Sequence, residues 1–134
     1  MTTQPTRFLA AAPALPVSDQ PRAVAFLAQA LGFTELTQDG DGLGILRRDA
    51  VELHLWVPDG SAPGAELSLA GTASSRIEVS GVEEVYRHCQ RLGVVHPNAP
   101  LTVQPWGTRE FGVLDPDNNL ITLYERLQRP AAGR

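Results

Sequence analysis

The sequence is poor in cysteine and has no long hydrophobic segment. Its one cysteine, Cys89, excludes an internal disulfide framework and agrees with a reducing compartment. No apolar run approaches the ~20 residues needed to cross a bilayer, so no membrane partner is expected. Residues 1–7 lack the basic start and apolar block of a signal peptide, and we therefore expect a cytoplasmic protein.

Positive charge is also scarce. The chain has 11 basic and 15 acidic residues, a net charge of −4, and no basic run longer than the pair Arg47 and Arg48. Nucleic acid is not an expected partner, because its binding needs clustered lysine and arginine. The small acidic excess fits a cationic ligand, but it is common among proteins of this size.

The bulk composition is that of an ordinary globular protein. Of the 134 residues, 43% are hydrophobic and 19% are charged. Two independent domains would each be marginal at half this length. We therefore expect a single domain over residues 1–134.

The first half of the chain has the pattern strand, helix, strand, strand, strand. A short apolar segment at residues 8–17 precedes Asp19 and Pro21, which are typical of a helix start. Gly32 is typical of the helix end. The remaining strand patterns and the turn-rich segment between them cover residues 33–37, 39–42, 43–48 and 51–57.

The second half repeats this order. Residues 76–80 have a strand pattern, residues 82–92 have the apolar spacing of a helix, and Gly93 ends that helix. Three further strand patterns follow at residues 101–104, 109–114 and 120–126.

Together the halves predict an α+β fold of tandem βαβββ units. Unit one covers about 8–58, the linker about 59–72, and unit two about 73–127. We expect a curved mixed sheet around a concave cavity, with the helices on the outer face, because one helix covers only one face of each sheet.

Strand alternation predicts which side chains of unit one face the cavity. In residues 51–57 aliphatic side chains alternate with Glu52, His54 and Trp56. The aliphatic set should pack under the helix, which leaves these three residues on the concave face.

The same alternation sorts the strands of unit two. Arg76 and Glu78 should face the cavity from one strand, and Thr122 and Tyr124 from another. Aromatic surface with a few polar groups is typical of a small-molecule pocket. The aromatic residues Trp56 and Tyr124 could instead cover a dimer interface, where aromatic residues are also favoured.

Two motifs resemble a known family. Residues 105–111 (PWGTREF) and 115–121 (DPDNNLI) are similar to the P-W-G-x-R-E-F and D-P-x-G-N signature of bleomycin-resistance proteins, members of the glyoxalase/bleomycin resistance/dioxygenase (vicinal oxygen chelate) superfamily. Residues 15–19 and 31–33 resemble the family's first helix unit. The resemblance spans nearly the whole chain and implies the fold described above. Asn118 stands where most members have glycine, and asparagine tolerates the same left-handed backbone.

The resemblance also raises the question of a metal. Enzymes of this superfamily hold a divalent ion, and the matching positions fall near Ala12, Glu52 or His54, Ser74 and Thr122. One carboxylate and one imidazole with two neutral hydroxyls make no strong site, so we expect no metal and no cofactor. His54 could then contact a ligand, lie at a dimer interface or act as a general base.

The function that the resemblance implies is sequestration of an antibiotic or a similar planar, partly cationic compound, without catalysis. In the resembling resistance proteins the ligand lies in a groove shared by two subunits, so we expect a homodimer. The expected ligand contacts, which combine stacking rings with polar groups, are Trp106, Trp56, His54, Glu52, Tyr124, Arg76, Glu110 and Thr122. Those proteins carry a stacking aromatic residue where this chain has residues 40–43, so a ligand other than bleomycin stays open.

Two other functions stay open from the sequence. Glu52 and His54 could bind a weak metal or supply a base in a lyase, isomerase or dioxygenase of the same superfamily. A structural or regulatory module is the third alternative, because no complete active site is evident. We expect surface roles for His88 and His96 and a buried core thiol for Cys89.

Overall fold

Each half of the chain folds into the same order of elements. The computed structural model describes residues 4–37 and 42–128, and the predicted turn at residues 39–42 lies outside this range except for Gly42. The elements of unit one are β1 (Ala14–Pro16), α1 (Gln20–Leu31), β2 (Thr34–Glu35), β3 (Gly44–Arg48) and β4 (Val51–Trp56). The elements of unit two are β5 (Ser74–Glu78), α2 (Val82–Leu92), β6 (Thr102–Gln104), β7 (Thr108–Leu114) and β8 (Leu120–Arg126).

The ends of α1 follow from its sequence. The Asp19 side chain accepts a hydrogen bond from the backbone N–H of Arg22 at 3.1 Å, and Pro21 lies in the first turn. Gly32 ends the helix in the left-handed conformation with φ of 72°. The predicted start and end of this helix are therefore confirmed.

Helix α2 has the predicted bounds but an unexpected cap. Gly81 precedes it and has no side chain to bind the free N–H groups. The carboxylate of Glu125, on β8, accepts hydrogen bonds from the N–H groups of Gly81 and Val82, both at 3.1 Å. A neighbouring strand thus supplies the cap, and Gly93 ends the helix with φ of 70°.

The strands form two open four-stranded sheets with the same internal order. Unit one has the order β1-β4-β3-β2 and unit two the order β5-β8-β7-β6. In each sheet the first pair is parallel and the others are antiparallel. The predicted α+β class with tandem βαβββ units is confirmed. Within residues 4–37 and 42–128, neither helix is long and apolar enough to cross a membrane.

Several strands are shorter than the sequence pattern predicts. The apolar segment at residues 8–17 forms a strand only at Ala14–Pro16, and its residues Phe8 and Leu9 are 98% and 86% exposed. The pattern at residues 33–37 forms a strand of only two residues. The linker also contains a short 3-10 turn at Leu67–Leu69. Apolar character alone did not fix strand length, since a strand also needs a neighbour with which to pair.

One hydrophobic core is shared by both units. Leu53 and Leu55 of β4 are fully buried. On β8, Ile121 is fully buried and Leu123 is 3% exposed. They belong to a single cluster of buried residues that also includes residues of both helices. The alternate residues on these strands are partly exposed, as the predicted alternation requires.

In the hairpin between β7 and β8, Asn118 has the left-handed backbone that the resemblance implies. Asn118 has φ of 76°, so asparagine takes the left-handed position where glycine is usual in the resembling proteins. The Asp115 carboxylate accepts hydrogen bonds from the backbone N–H groups of Asp117 and Asn119 at 2.9 and 2.8 Å. The turn is thereby held rigid from within.

Candidate functional site

The structure divides the predicted site residues between two sheet faces. The three residues on unit one are Glu52, His54 and Trp56. The five residues on unit two are Arg76, Trp106, Glu110, Thr122 and Tyr124. Within the part of the chain that the structure describes, no hydrogen bond or ion pair joins the two groups. The predicted ligand contacts thus form two groups, which we call the unit-one half-site and the unit-two half-site.

On unit one, a carboxylate lies between an imidazole and a guanidinium. Glu52 Oε1 is 2.8 Å from His54 Nε2, and Glu52 Oε2 accepts a hydrogen bond from Arg47 Nη2 at 3.0 Å. Strand pairing explains this, because Arg47 on β3 lies directly opposite Glu52 on β4. These hydrogen bonds, first that of His54 and then that of Arg47, lower the pKa of Glu52.

On unit two, β8 lies between the two strands that carry the main ion pair. Arg76 on β5 is directly opposite Thr122, and Glu110 on β7 is directly opposite Tyr124. The guanidinium of Arg76 crosses β8 and binds both Glu110 oxygens, with Nη1–Oε1 and Nη2–Oε2 distances of 3.0 and 2.8 Å. A bidentate pair fixes the relative orientation of the two side chains and is stronger than a hydrogen bond between neutral groups.

Glu110 also accepts two further hydrogen bonds. Its Oε2 accepts from Thr108 Oγ1 at 2.6 Å and from the indole Nε1–H of Trp106 at 3.3 Å. The residue is 7% exposed. The pKa of Glu110 is lowered to about 2, mainly by the Arg76 hydrogen bonds; burial opposes this shift, and the hydrogen bonds from Thr108 and Trp106 add to it. Both carboxylate oxygens are thus occupied within the chain.

Aromatic surface remains accessible beside this carboxylate. Trp106 is 62% exposed. The guanidinium of Arg76 lies 4.7 Å from the ring centroid of Tyr124, and that of Arg126 lies 5.9 Å from the same centroid. These are cation–π distances, so both guanidinium groups contact the Tyr124 ring.

Sequence reasoning missed three residues of these clusters. Thr108 and Arg126 share a face with predicted residues two positions away, Glu110 and Tyr124, so strand alternation could have found them. Arg47 becomes evident only once β3 and β4 are aligned, because no local pattern connects it to Glu52.

The donor set does not fit the metal of the superfamily's enzymes. Of the implied positions, Glu52 and His54 are hydrogen-bonded to each other, and the carboxylate also binds Arg47. Among the described residues no group of three or more histidine, cysteine or acidic side chains is arranged to hold an ion. One carboxylate already shared with a guanidinium and one imidazole make a poor ligand set.

The other titratable candidates have structural roles. Cys89 is fully buried, which confirms the predicted core thiol, and burial raises its pKa to about 11. His88 Nε2 lies 2.8 Å from the main-chain oxygen of Gln29 and links the two helices. The backbone N–H of Asn98 donates to His96 Nδ1 at 2.9 Å within a surface loop.

A large cleft lies away from both half-sites. It has a volume of about 790 Å³ and is bordered by the end of α1 and by one side of α2. The residues that line it include Phe33, Arg48, Val79, His88 and Arg91, and none of the eight predicted site residues. The predicted ligand contacts therefore lie outside this cleft.

Sequence comparisons identify close relatives. Residues 9–123 match the model of the Glyoxalase/Bleomycin resistance protein/Dioxygenase superfamily. The chain is 42% identical over 127 residues to bleomycin resistance proteins of Geobacillus stearothermophilus and Staphylococcus aureus. Each alignment covers 87% of this chain and 96% of the relative.

Solved structures give the same result. The bleomycin-binding protein of Streptomyces verticillus, solved with copper(II)-bleomycin, is 28% identical, with a TM-score of 0.71 over 88% of this chain and 96% of that chain. A bleomycin resistance determinant encoded on the transposon Tn5 is 25% identical, with a TM-score of 0.69 over 90% and 100% of the respective chains.

Proposed function

Because the chain belongs to the glyoxalase/bleomycin resistance protein/dioxygenase superfamily, we propose that it binds and sequesters a bleomycin-like antibiotic without altering it. Its relatives at 42% identity over nearly their whole length are bleomycin resistance proteins. A structural neighbour is known in complex with copper(II)-bleomycin. The fold alone is compatible with a binding protein or an enzyme. These two similarities support a binding protein.

The observation that carries this proposal is the exposed ring of Trp106. It is 62% exposed, yet its indole N–H is bonded to a buried carboxylate. An indole held in this way presents a flat apolar face to a planar ligand at little cost in side-chain entropy. The Tyr124 ring, contacted by arginines on the same sheet, extends the stacking surface.

The charges of the site suit a ligand that stacks more than one that forms ion pairs. Glu110 offers no free oxygen, and Glu52 is bonded to Arg47 and His54. A cationic ligand would have to compete with these partners. We propose that Trp106, Trp56, Tyr124, His54, Glu52, Arg76 and Thr122 contact the ligand directly.

We also propose that the binding unit is a homodimer. The two half-sites lie on different sheets, and neither contributes a residue to the lining of the large cleft. Phe8 and Leu9 are almost fully exposed, which is unfavourable for a monomer in water. A second copy would cover them and convert two sheet faces into a groove. We also propose a cytoplasmic location, with which the free thiol of Cys89 is compatible.

A fluorescence titration tests ligand binding. Metal-free and copper(II)-bleomycin are added separately to the purified protein, and tryptophan emission is followed. The proposal requires a saturable change at micromolar ligand or below, because Trp106 contacts the drug. No saturable change with either form would end the bleomycin assignment, and a screen of other planar antibiotics by thermal shift would follow.

A second candidate function has one observation in its favour. The Glu52–His54 hydrogen bond is a carboxylate–imidazole pair of the kind that can act as a general base. Mass spectrometry of bleomycin recovered after prolonged incubation separates the two functions. Sequestration requires an unchanged mass and full recovery, whereas a modified product that is lost in His54→Gln would establish an enzyme.

A further inference from the structure

Trp106 lies in a tight turn that does not fix its side chain. The turn joins β6 to β7, and Gly107 completes it with φ of 88° and a hydrogen bond from its N–H to the Gln104 oxygen at 3.0 Å. The indole is largely exposed, so packing restricts its side-chain torsions little. Among the described residues its only hydrogen-bond partner is Glu110.

Glu110 is built into the sheet and not into the turn. It lies in the middle of β7 and is 7% exposed. Its position is fixed by the bidentate bond to Arg76 and by the short bond from Thr108. The anchor of Trp106 is therefore more rigid than the loop that carries the ring.

Glu110 is also connected, through Arg76, to Tyr124, the second aromatic residue on the unit-two sheet face. Arg76 is bonded to both Glu110 oxygens, and its guanidinium lies over Tyr124 at 4.7 Å. One acidic side chain thereby connects both aromatic residues of the unit-two face, directly for Trp106 and through a guanidinium for Tyr124.

From this geometry we infer that Glu110 is a positioning residue, a buried carboxylate that fixes the orientation of Trp106 and, through Arg76, that of the Tyr124 stack. It does not contact the ligand. The inference rests on the proposed function only in treating this aromatic surface as the one that binds the ligand. The orientation of the rings is a property of the free protein. Glu110 thus has a different role from the ligand-binding carboxylate that the sequence predicts.

Replacement of Glu110 by glutamine tests this role with little change of shape. In wild type, Arg76, Thr108 and Trp106 donate to the two carboxylate oxygens of Glu110. Glutamine has only one acceptor oxygen for these three donors. The indole should therefore lose its anchor. Because a ring that must be ordered on binding costs affinity, we expect about 3- to 10-fold weaker ligand binding for Glu110→Gln.

The measurement uses Trp56→Phe as the parent, since Trp56 and Trp106 are the only tryptophans. Time-resolved fluorescence anisotropy of the free protein then reports Trp106 alone. We expect a larger amplitude of fast local motion in Glu110→Gln than in the parent. The matched control is Glu83→Gln, another carboxylate of unit two, bonded to Arg87 and Arg109 and not to the tryptophan.

A second variant guards against loss of folding. Arg76→Lys keeps the positive charge but removes the two-point bond, so it should increase the local motion in the same direction, less than Glu110→Gln. Circular dichroism first verifies that each variant is folded at the measuring temperature. Equal local motion in the parent, Glu110→Gln and Arg76→Lys would overturn the inference.

Bleomycin titration of wild type and of Glu110→Gln, both with Trp56 intact because Trp56 is a proposed ligand contact, separates this inference from the proposed function. If anisotropy changes but wild type does not bind the drug, the positioning role stands and the function fails. If wild type binds the drug but Glu110→Gln neither frees the ring nor loses affinity, the positioning role fails and the function stands.

Discussion

The side-chain amide of Asn119 donates a hydrogen bond to the main-chain oxygen of Pro16, 103 residues earlier in the chain, at 2.9 Å. Asn119 is fully buried, and its Oδ1 accepts a hydrogen bond from the N–H of Ala73 at 3.0 Å. One side chain thus connects β1 of unit one to the start of unit two, next to β5. The shared core depends on this junction as well as on apolar packing.

Substitution Asn119→Ala is expected to destabilise the protein strongly. It leaves the Ala73 N–H and Oδ2 of the buried Asp115 carboxylate without their Asn119 partner, and it removes one of the two hydrogen bonds to the Pro16 oxygen, which costs roughly 2–4 kcal/mol. Urea denaturation measures the loss. The control is Asn118→Gly in the same turn, which should change stability by less than about 1 kcal/mol because Asn118 has φ of 76°. Equal effects of the two substitutions would contradict the role of the junction.

Two glycines of similar backbone conformation should respond differently to alanine. Gly71 and Gly64 have φ of 85° and 86°. A Cβ on Gly71 would lie 1.9 Å from the main-chain oxygen of Asp117, whereas one on Gly64 meets nothing within 4 Å. We expect Gly64→Ala to cost roughly 1–2 kcal/mol from backbone strain alone. Gly71→Ala should lower the melting temperature much more than Gly64→Ala does. Similar melting temperatures of the two variants would refute the close approach of Gly71 to the Asp117 oxygen.

Acid should lower the free energy of unfolding by disrupting the ion pair between Glu110 and Arg76. The pKa of Glu110 is lowered to about 2 in the folded protein, from an ordinary value of 4.5. The stability that it contributes is therefore complete above pH 4.5 and is lost as the pH falls toward 2, by up to roughly 3 kcal/mol. Urea denaturation of wild type and Glu110→Gln over this range isolates the effect, since the other carboxylates titrate in both. Parallel pH profiles would argue against the pair.

Sequence reasoning succeeded where the signal is local. Asp19, Gly32 and Gly93 mark helix ends through their own backbone preferences, and the structure confirms all three. The alternation around Leu53 and Leu55 also identified the buried face of β4. These features need only a few neighbouring residues, so they can be predicted without knowledge of the sheet order.

What the sequence could not predict depends on distant pairing. Arg76 and Glu110 are 34 residues apart, and they meet only because β8 lies between β5 and β7. The use of Glu125 to cap α2 has the same origin, since β8 lies next to the strand that leads into the helix. The sequence alone predicts a ligand contact for Glu110 and no role for Glu125, because neither pairing partner is near in the chain.

The unit-one half-site should not retain a divalent metal. Glu52 is bonded to Arg47 and His54, and no further acidic, cysteine or histidine ligand among the described residues completes a site. After equilibration with zinc, nickel or manganese and dialysis, elemental analysis should find well below one ion per chain. A stoichiometric ion that disappears in His54→Gln would instead favour an enzyme.

The most direct test of the account is calorimetric titration of bleomycin into wild type and Trp106→Ala, each shown to be folded. The account predicts saturable binding at one drug per chain for wild type, with a dissociation constant in the micromolar range or below, and about tenfold or greater weakening in Trp106→Ala. Absence of saturable binding to wild type with both metal-free and copper(II)-bleomycin, or equal affinity of the two proteins, would contradict it.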